Sequence, residues 1–261
     1  MNTIDKKAFF FDFDGTIWFG RFGEKTLQAL KDLHNKGHLL FYNSGRSKAN
    51  SYMQRIKQIP FDGFLFGGCH AETADGEIIY LSNISKGAMQ DTVEIENEYD
   101  LLIIYEGTDK VCKRKGILDW IPCIELEDNR VLVDTDTYPM SKFSIFKRKT
   151  CLGEYEPIPP KALELLAKHY ILIEMGSYVE CIQKGHGKDV IISKAVERLG
   201  IDINNTYAFG DSMNDMPMFK ACAKSIAIGH SPDELKKLAI YVTKEEENGV
   251  WEALSELGFV E

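Results

Sequence analysis

The sequence has little of what membrane proteins, zinc proteins or nucleic-acid-binding proteins need. No apolar stretch among its 261 residues reaches the roughly 20 residues that span a bilayer. The 6 cysteines are scattered without a C-x-x-C pair, which disfavours a zinc site or a disulfide framework. The net charge of −9 disfavours nucleic acid, because affinity for nucleic acid comes from neutralised phosphates. We therefore expect neither a membrane nor a nucleic-acid partner.

The N-terminal segment is also unlike a secretory leader. Lys6 and Lys7 precede an apolar segment, but Asp12 and Asp14 interrupt it too early for a signal peptide. We therefore expect a cytoplasmic protein. The length of the chain allows one large domain, or a core domain with a smaller second one.

The most informative segment is residues 9–16, where an aromatic run breaks into carboxylates. Such a run predicts a central parallel strand that is buried on both faces. Asp12, Asp14, Gly15 and Thr16 follow at its carboxyl end. A tight turn alone would also suit an Asp-Gly pair. However, adjacent buried carboxylates are costly without a cation or hydrogen-bond donors, so the segment predicts a metal, a chemical role, or both.

Strand and helix patterns alternate through much of the chain, which predicts an α/β fold with a doubly wound parallel sheet. The predicted strands cover residues 9–11, 38–43, 63–66, 78–81, 207–210 and 225–229, of which 78–81 is expected to be antiparallel. The predicted helices cover residues 24–36, a segment ending near 56, 188–199, 232–238 and 250–257.

The regular alternation stops between residues 82 and 184. We interpret 82–184 as an inserted α/β domain, with 1–81 and 185–261 forming the core. A basic cluster in this insert predicts a solvated face, and it comprises Lys110, Lys113, Arg114 and Lys115.

Three predicted strands end in side chains that suit phosphate or a metal. These are Asp12 with Asp14, Ser44 with Gly45, and Asp211 with Asn214 and Asp215. The carboxyl ends of parallel strands share one edge of a sheet, so these residues can form one site. Oxygen ligands without histidine or cysteine favour Mg²⁺ over zinc, and Mg²⁺ is commonly shared with a substrate phosphate. The pattern therefore predicts phosphoryl chemistry.

The same residues resemble the motifs of the haloacid dehalogenase superfamily. Residues 12–16 (Asp-Phe-Asp-Gly-Thr) resemble its first motif, and residues 44–46 (Ser-Gly-Arg), Lys188 and residues 210–215 resemble the second, third and fourth, in the family's order. The insert places the chain nearest the Cof-type phosphatases of subclass IIB, which carry an α/β cap of the C2 type there. The resemblance implies a Rossmann-like core with this cap, and it covers nearly the whole chain.

The resemblance implies an aspartyl-phosphate mechanism. Asp12 would attack phosphorus, while Asp14 would protonate the leaving oxygen and then activate water. Mg²⁺ would be held by the Asp12 carboxylate, the Asp14 backbone carbonyl and the Asp211 carboxylate. Ser44, the Gly45 amide and Lys188 would bind the phosphate; the supporting residues would be Asn214, Asp215, Thr16 and Arg46.

Two of these assignments have alternatives, and the sequence departs from the family's pattern at two places. Lys184, followed by Gly185, is a second candidate for the third motif, although Lys188 opens the predicted helix, where an anion site is expected. Arg46 could instead face solvent. Asp189 stands where the family usually has glycine, and Gly67-Gly68 where an Asn-Gly pair is common.

The second acid restricts the expected activity. Dehalogenating members of the superfamily lack an acid at the position of Asp14, and ion-pumping members carry threonine there. The resemblance therefore implies a phosphatase acting on phosphomonoesters of small metabolites, such as sugar phosphates, nucleotides or cofactor phosphates. The alternatives are a phosphomutase acting on hexose phosphates and a catalytically idle phosphate-binding regulator.

Overall fold

The computed structural model describes residues 6–108, 110–113 and 139–261. Of the basic cluster, Arg114, Lys115 and the side chain of Lys113 lie outside these residues. The chain divides into two compact units. Unit 1 comprises Met1–Gly45, Tyr52–Leu81 and Gly187–Glu261, and unit 2 comprises Arg46–Ser51 and Ser82–His186. That residues 82–184 act as a cap domain stays a prediction.

The secondary structure confirms the α/β class. In chain order the strands are β1 Ala8–Phe11, β2 Leu39–Ser44, β3 Gly63–Phe66, β4 His70–Thr73, β5 Ile78–Leu81, β6 Leu102–Glu106, β7 Val111–Lys113, β8 Lys142–Phe146, β9 Tyr170–Glu174, β10 Tyr178–Gln183, β11 Thr206–Gly210, β12 Lys224–Ala227 and β13 Tyr241–Val242. The helices are α1 Glu24–Asn35, α2 Met53–Ile56, α3 Lys86–Tyr99, α4 Pro160–Leu166, α5 Lys188–Leu199, α6 Met216–Ala221, α7 Asp233–Lys236 and α8 Gly249–Glu256. Within the described ranges, no helix is long and apolar enough to cross a membrane.

Unit 1 is built on a sheet with the strand order β13-β12-β11-β1-β2-β3-β4-β5. The strands from β13 to β3 are parallel, and β4 and β5 are antiparallel, as expected for residues 78–81. The helix predicted to end near residue 56 is interrupted, because Ser51 adopts an extended backbone between a 3-10 turn at Lys48–Asn50 and α2.

Strand β1 lies at the centre of this sheet and is buried on both faces. Phe9 and Phe11 pack in a cluster with residues of α1 and α8. Phe10 packs in a second cluster with residues of α5 and α6. Since both faces of β1 are apolar, the chain can place polar groups only where the strand ends, which is where Asp12 follows.

Unit 2 contains an antiparallel sheet with the order β7-β6-β8-β10-β9. One face of this sheet, including Tyr105 and Phe143, packs with residues of α3 and α4. On β6, β8 and β10, the buried side chains of Glu106, Lys142 and Glu180 form a row in which the lysine pairs with both glutamates.

Candidate active site and metal centre

The sheet register of unit 1 brings three strand ends to one edge. Phe11 lies opposite Tyr42 on β2 and Phe209 on β11. The Asp12 amide continues this pairing by donating to the Phe209 carbonyl at 2.8 Å. Asp12, Ser44 and Asp211 thus stand at the carboxyl ends of three neighbouring strands, as the sequence pattern predicts.

Lys188, the first residue of α5, lies between two carboxylates. Its Nζ donates to Asp12 Oδ1 and to Asp215 Oδ1, each at 2.5 Å. All three residues are buried, with 4%, 5% and 0% of the surface exposed for Lys188, Asp12 and Asp215. The competing Lys184 is exposed and belongs to unit 2. The geometry therefore favours Lys188 as the lysine of this site.

Lys188 stays charged in this environment. Burial opposes its charge, but the carboxylates of Asp12 and Asp215 outweigh burial and raise the pKa of Lys188. For Asp12 the balance is the reverse: burial raises the pKa of this carboxyl well above its usual range, Asp215 raises it further, and Lys188 opposes the shift. The surroundings of Asp12 therefore disfavour the ionised form of its side chain.

The excess of negative charge fits a bound cation. Oxygen atoms of Asp12, Asp211 and Asp215 lie within 4.8 Å of one another. Lys188 supplies one positive charge against these three carboxylates. Two of these carboxylates are buried and Asp211 is half-buried; such an excess of negative charge is costly without a cation, and a set of oxygen donors suits a hard divalent metal. The chemistry of the donors therefore fits a divalent metal at this edge.

Asp215 orients its neighbours. Its Oδ1 accepts from Lys188, and its Oδ2 accepts from the backbone amides of Asp211 at 2.9 Å and Ser212 at 3.1 Å. Since Asp215 is fully buried and accepts three hydrogen bonds, its carboxylate is better placed to hold the loop after β11 than to bind metal directly. The Ser212 hydroxyl also donates to Asn214 Oδ1 at 2.7 Å, which ties Asn214 into the same loop.

The loop depends on glycine at position 210. A Cβ atom at Gly210 would lie 2.6 Å from Cγ of Asp215. Asp215 cannot easily withdraw, because its three hydrogen bonds anchor it. We expect Gly210→Ala to destabilise the protein by about 1–3 kcal/mol, as overpacking does, and to reduce phosphate release.

The matched control for this change is Gly87→Ala in helix α3, where a Cβ atom would meet nothing within 4 Å. Urea unfolding and phosphate release measured on both variants check the prediction. Equal behaviour of the two variants would contradict the role given to the close approach of Gly210 and Asp215.

Asp211 is hydrogen-bonded through both of its carboxylate oxygens. Thr16 Oγ1 donates to Oδ1 at 3.0 Å, and His230 Nε2 lies 3.3 Å from Oδ2. Burial, followed by Asp215, raises the pKa of Asp211, while the hydrogen bonds from Thr16 and His230 act in the opposite direction. Gly15, with a φ of +81°, passes close by, since a Cβ there would lie 2.6 Å from Asp211 Oδ2.

His230 was not among the predicted site residues. It follows the apolar run of residues 225–229, whose predicted strand overlaps β12, Lys224–Ala227, and extends two residues beyond it. Applying the strand-end rule to this fourth parallel strand, as to the other three, would have identified it.

The remaining predicted residues occupy varied surroundings. Asp14 is half-buried in a turn in which the Gly15 amide donates to the Trp18 carbonyl at 2.9 Å. Ser44 is buried, and Gly45 is half-buried just after β2. Arg46 is half-buried and belongs to unit 2.

Comparison with known proteins identifies the family. The model of the haloacid dehalogenase-like hydrolases matches residues 9–254. The chain is 27% identical over 267 residues to "Putative phosphatase YkrA" of Bacillus subtilis, covering 98% of this chain and 100% of that one. It is 24% identical over 262 residues to the phosphoglycolate phosphatase of Nitrosopumilus maritimus, covering 97% of each.

Solved structures show the same fold. BT1666 from Bacteroides thetaiotaomicron, a haloalkanoate-superfamily phosphatase, aligns with a TM-score of 0.82 at 20% identity, covering 99% of this chain and 97% of its own. The subclass IIB sugar phosphatase BT4131 aligns with a TM-score of 0.79 at 23% identity, covering 98% of this chain and 100% of its own.

The chain belongs to the haloacid dehalogenase-like hydrolase family, in its Cof-type branch. Within that family it is a phosphatase.

Proposed function

We propose that this phosphatase hydrolyses phosphomonoesters of small metabolites in a Mg²⁺-dependent reaction that passes through a phosphorylated Asp12. The observation that carries the proposal is the buried contact of Asp12 with Lys188, beside Asp211 and Asp215. The names of the relatives, which include phosphoglycolate phosphatase and sugar phosphatase, support sugar phosphates and related small phosphates as substrates.

Asp12 and Asp14 divide the chemistry between them. The Asp12 carboxylate attacks phosphorus, and the bond from phosphorus to the leaving oxygen breaks as Asp14 donates its proton to that oxygen. Asp14 then takes a proton from water, whose oxygen attacks the phosphorus of the phosphorylated Asp12. Inorganic phosphate leaves, and the Asp12 carboxylate is regenerated.

Three donors hold the phosphoryl group in this proposal: the Ser44 hydroxyl, the Gly45 amide and the Lys188 ammonium. Lys188 is suited to the task because its raised pKa keeps it charged. It also opens α5, and the amino end of a helix favours anions.

The metal site would use the carboxylates of Asp12 and Asp211 and the backbone carbonyl of Asp14. Mg²⁺ bound there would neutralise phosphate charge, which lets an anionic nucleophile approach. Asp215 would orient Asp211 and Lys188 rather than bind the metal, since it is fully buried and accepts three hydrogen bonds, whereas each oxygen of the half-buried Asp211 carries one hydrogen bond from the described residues.

Removal of the metal should abolish activity. Because the site combines buried carboxylates with an anionic substrate, we expect excess EDTA to reduce phosphate release to background and added Mg²⁺ to restore it. EDTA already saturated with Mg²⁺ is the control for effects of the chelator itself. Activity that persists in metal-free EDTA would remove the metal from the proposal.

A screen of phosphorylated metabolites tests the reaction itself. Sugar phosphates, nucleotides and cofactor phosphates are incubated with Mg²⁺ and the full chain, and released phosphate is measured, with Asp12→Asn as the blank. We expect release from at least one of these classes. Isomerisation of hexose phosphates without release would favour a phosphomutase, and binding without turnover would favour the idle regulator.

A further inference from the structure

Among the residues that the structure describes, His230 is the one side chain hydrogen-bonded to Asp211 that neither the motifs nor the proposed reaction uses. It follows β12 and presents Nε2 to Asp211 Oδ2 at 3.3 Å. A carboxylate only accepts hydrogen bonds, so this contact requires the imidazole proton to be on Nε2. The other ring nitrogen, Nδ1, lies 3.7 Å from Glu246 Oε1.

The imidazole ring is held in place from a third side. The edge-to-face contact with Phe19 has a centroid distance of 5.8 Å and an interplanar angle of 83°. The ring thus has Asp211, Glu246 and Phe19 as neighbours on three sides, although 35% of the side chain is exposed. An exposed histidine without such contacts would sample several rotamers.

Each carboxylate oxygen of Asp211 therefore accepts a hydrogen bond from a different part of the chain. Thr16, which is fully buried, holds Oδ1, and His230 holds Oδ2. Rotation of the carboxylate about its Cβ–Cγ bond would break both contacts at once. Hydrogen bonds of this kind orient metal-binding side chains, and their loss commonly costs about 10- to 100-fold in metal affinity or activity.

We infer that His230 is a positioning residue of the metal site, which fixes the Asp211 carboxylate opposite Thr16 and so strengthens Mg²⁺ binding. This inference rests on the proposed function, because it assigns Asp211 to the metal. His230 acts through Asp211 and takes no part in the transfer of the phosphoryl group.

The test is Mg²⁺ binding to the metal-free full-length protein, measured by isothermal titration calorimetry. We expect His230→Ala to weaken Mg²⁺ binding by about tenfold. His230→Gln should recover most of this loss, since its amide nitrogen can donate to Asp211. The control is His169→Ala in unit 2, which removes an equivalent contact, 2.7 Å long, between His169 and Asp91; it should bind Mg²⁺ as the wild type does.

Kinetics supply a readout that a merely structural role would not change. In His230→Ala, the Mg²⁺ concentration giving half-maximal activity should rise by the same factor of about ten. At saturating Mg²⁺, kcat and the KM for substrate should return close to their wild-type values. A loss of kcat that saturating Mg²⁺ does not restore would overturn the inference.

The binding data separate this inference from the proposed function. Wild-type Mg²⁺ affinity in both His230 variants overturns the positioning role alone. If the wild type does not bind Mg²⁺, the proposed Mg²⁺ dependence of the reaction is wrong, and the role inferred for His230 is wrong with it. The melting temperatures of the metal-free variants identify any change that comes from unfolding.

Discussion

Asp12→Asn should lower kcat by at least about 10⁴-fold, as the loss of a catalytic nucleophile does. The amide has nearly the shape of the carboxylate, but it cannot form the acyl phosphate. Substrate should still bind, because the phosphate donors Ser44, Gly45 and Lys188 remain. Single-turnover phosphate release, compared with the wild type at saturating Mg²⁺, measures the effect.

The same variant should remain folded. Burial and the neighbouring Asp215 raise the pKa of Asp12, even after the opposing effect of Lys188. A carboxyl group whose pKa is higher in the folded protein than in the unfolded chain lowers stability at pH values above its ordinary pKa, and neutral pH is among these. Asp12→Asn removes that cost and leaves Lys188 paired with Asp215, so its melting temperature should equal or exceed that of the wild type. Near-normal turnover by Asp12→Asn would reject Asp12 as the nucleophile.

Lys188→Met should produce the largest loss of stability. Lys188 pairs with two buried carboxylates, Asp12 and Asp215. Removing one partner of a buried ion pair typically costs about 3–5 kcal/mol, because the remaining charge is left uncompensated. Urea unfolding of the metal-free protein measures this loss, and phosphate release should fall with it.

Lys184→Met is the matched control, since Lys184 is exposed and is the other candidate for the third motif. We expect it to leave both stability and activity close to wild type. If Lys184→Met abolished activity and Lys188→Met did not, the third motif would have to be moved to Lys184. A double variant of Lys188→Met with Asp215→Asn should recover part of the lost stability, because one buried charge disappears.

Most of the core sheet could be predicted from local sequence patterns. Strands buried on both faces are nearly continuous apolar runs, and β1, β2, β3, β11 and β12 all show them. Two strands of this core sheet were not predicted. β4 carries His70 and Glu72 in the buried sheet, so its composition does not resemble a strand, and β13 has only two residues.

The sequence by itself determined which residues stand at the ends of the central strands. Alternating strands and helices imply a parallel sheet, and a parallel sheet places Asp12, Ser44 and Asp211 along one edge. This conclusion needs only the order of the elements and the position of each residue within its own element. It therefore follows without knowledge of any single contact.

Only the tertiary structure decided how the charges pair. It joins Lys188 to Asp12 across a separation of 176 residues, and it brings His230 to Asp211. The physical reason is that a side chain's partner depends on which segments cross in space and on rotamers set by packing. Sequence patterns report the period of one element at a time, and they carry no record of these crossings.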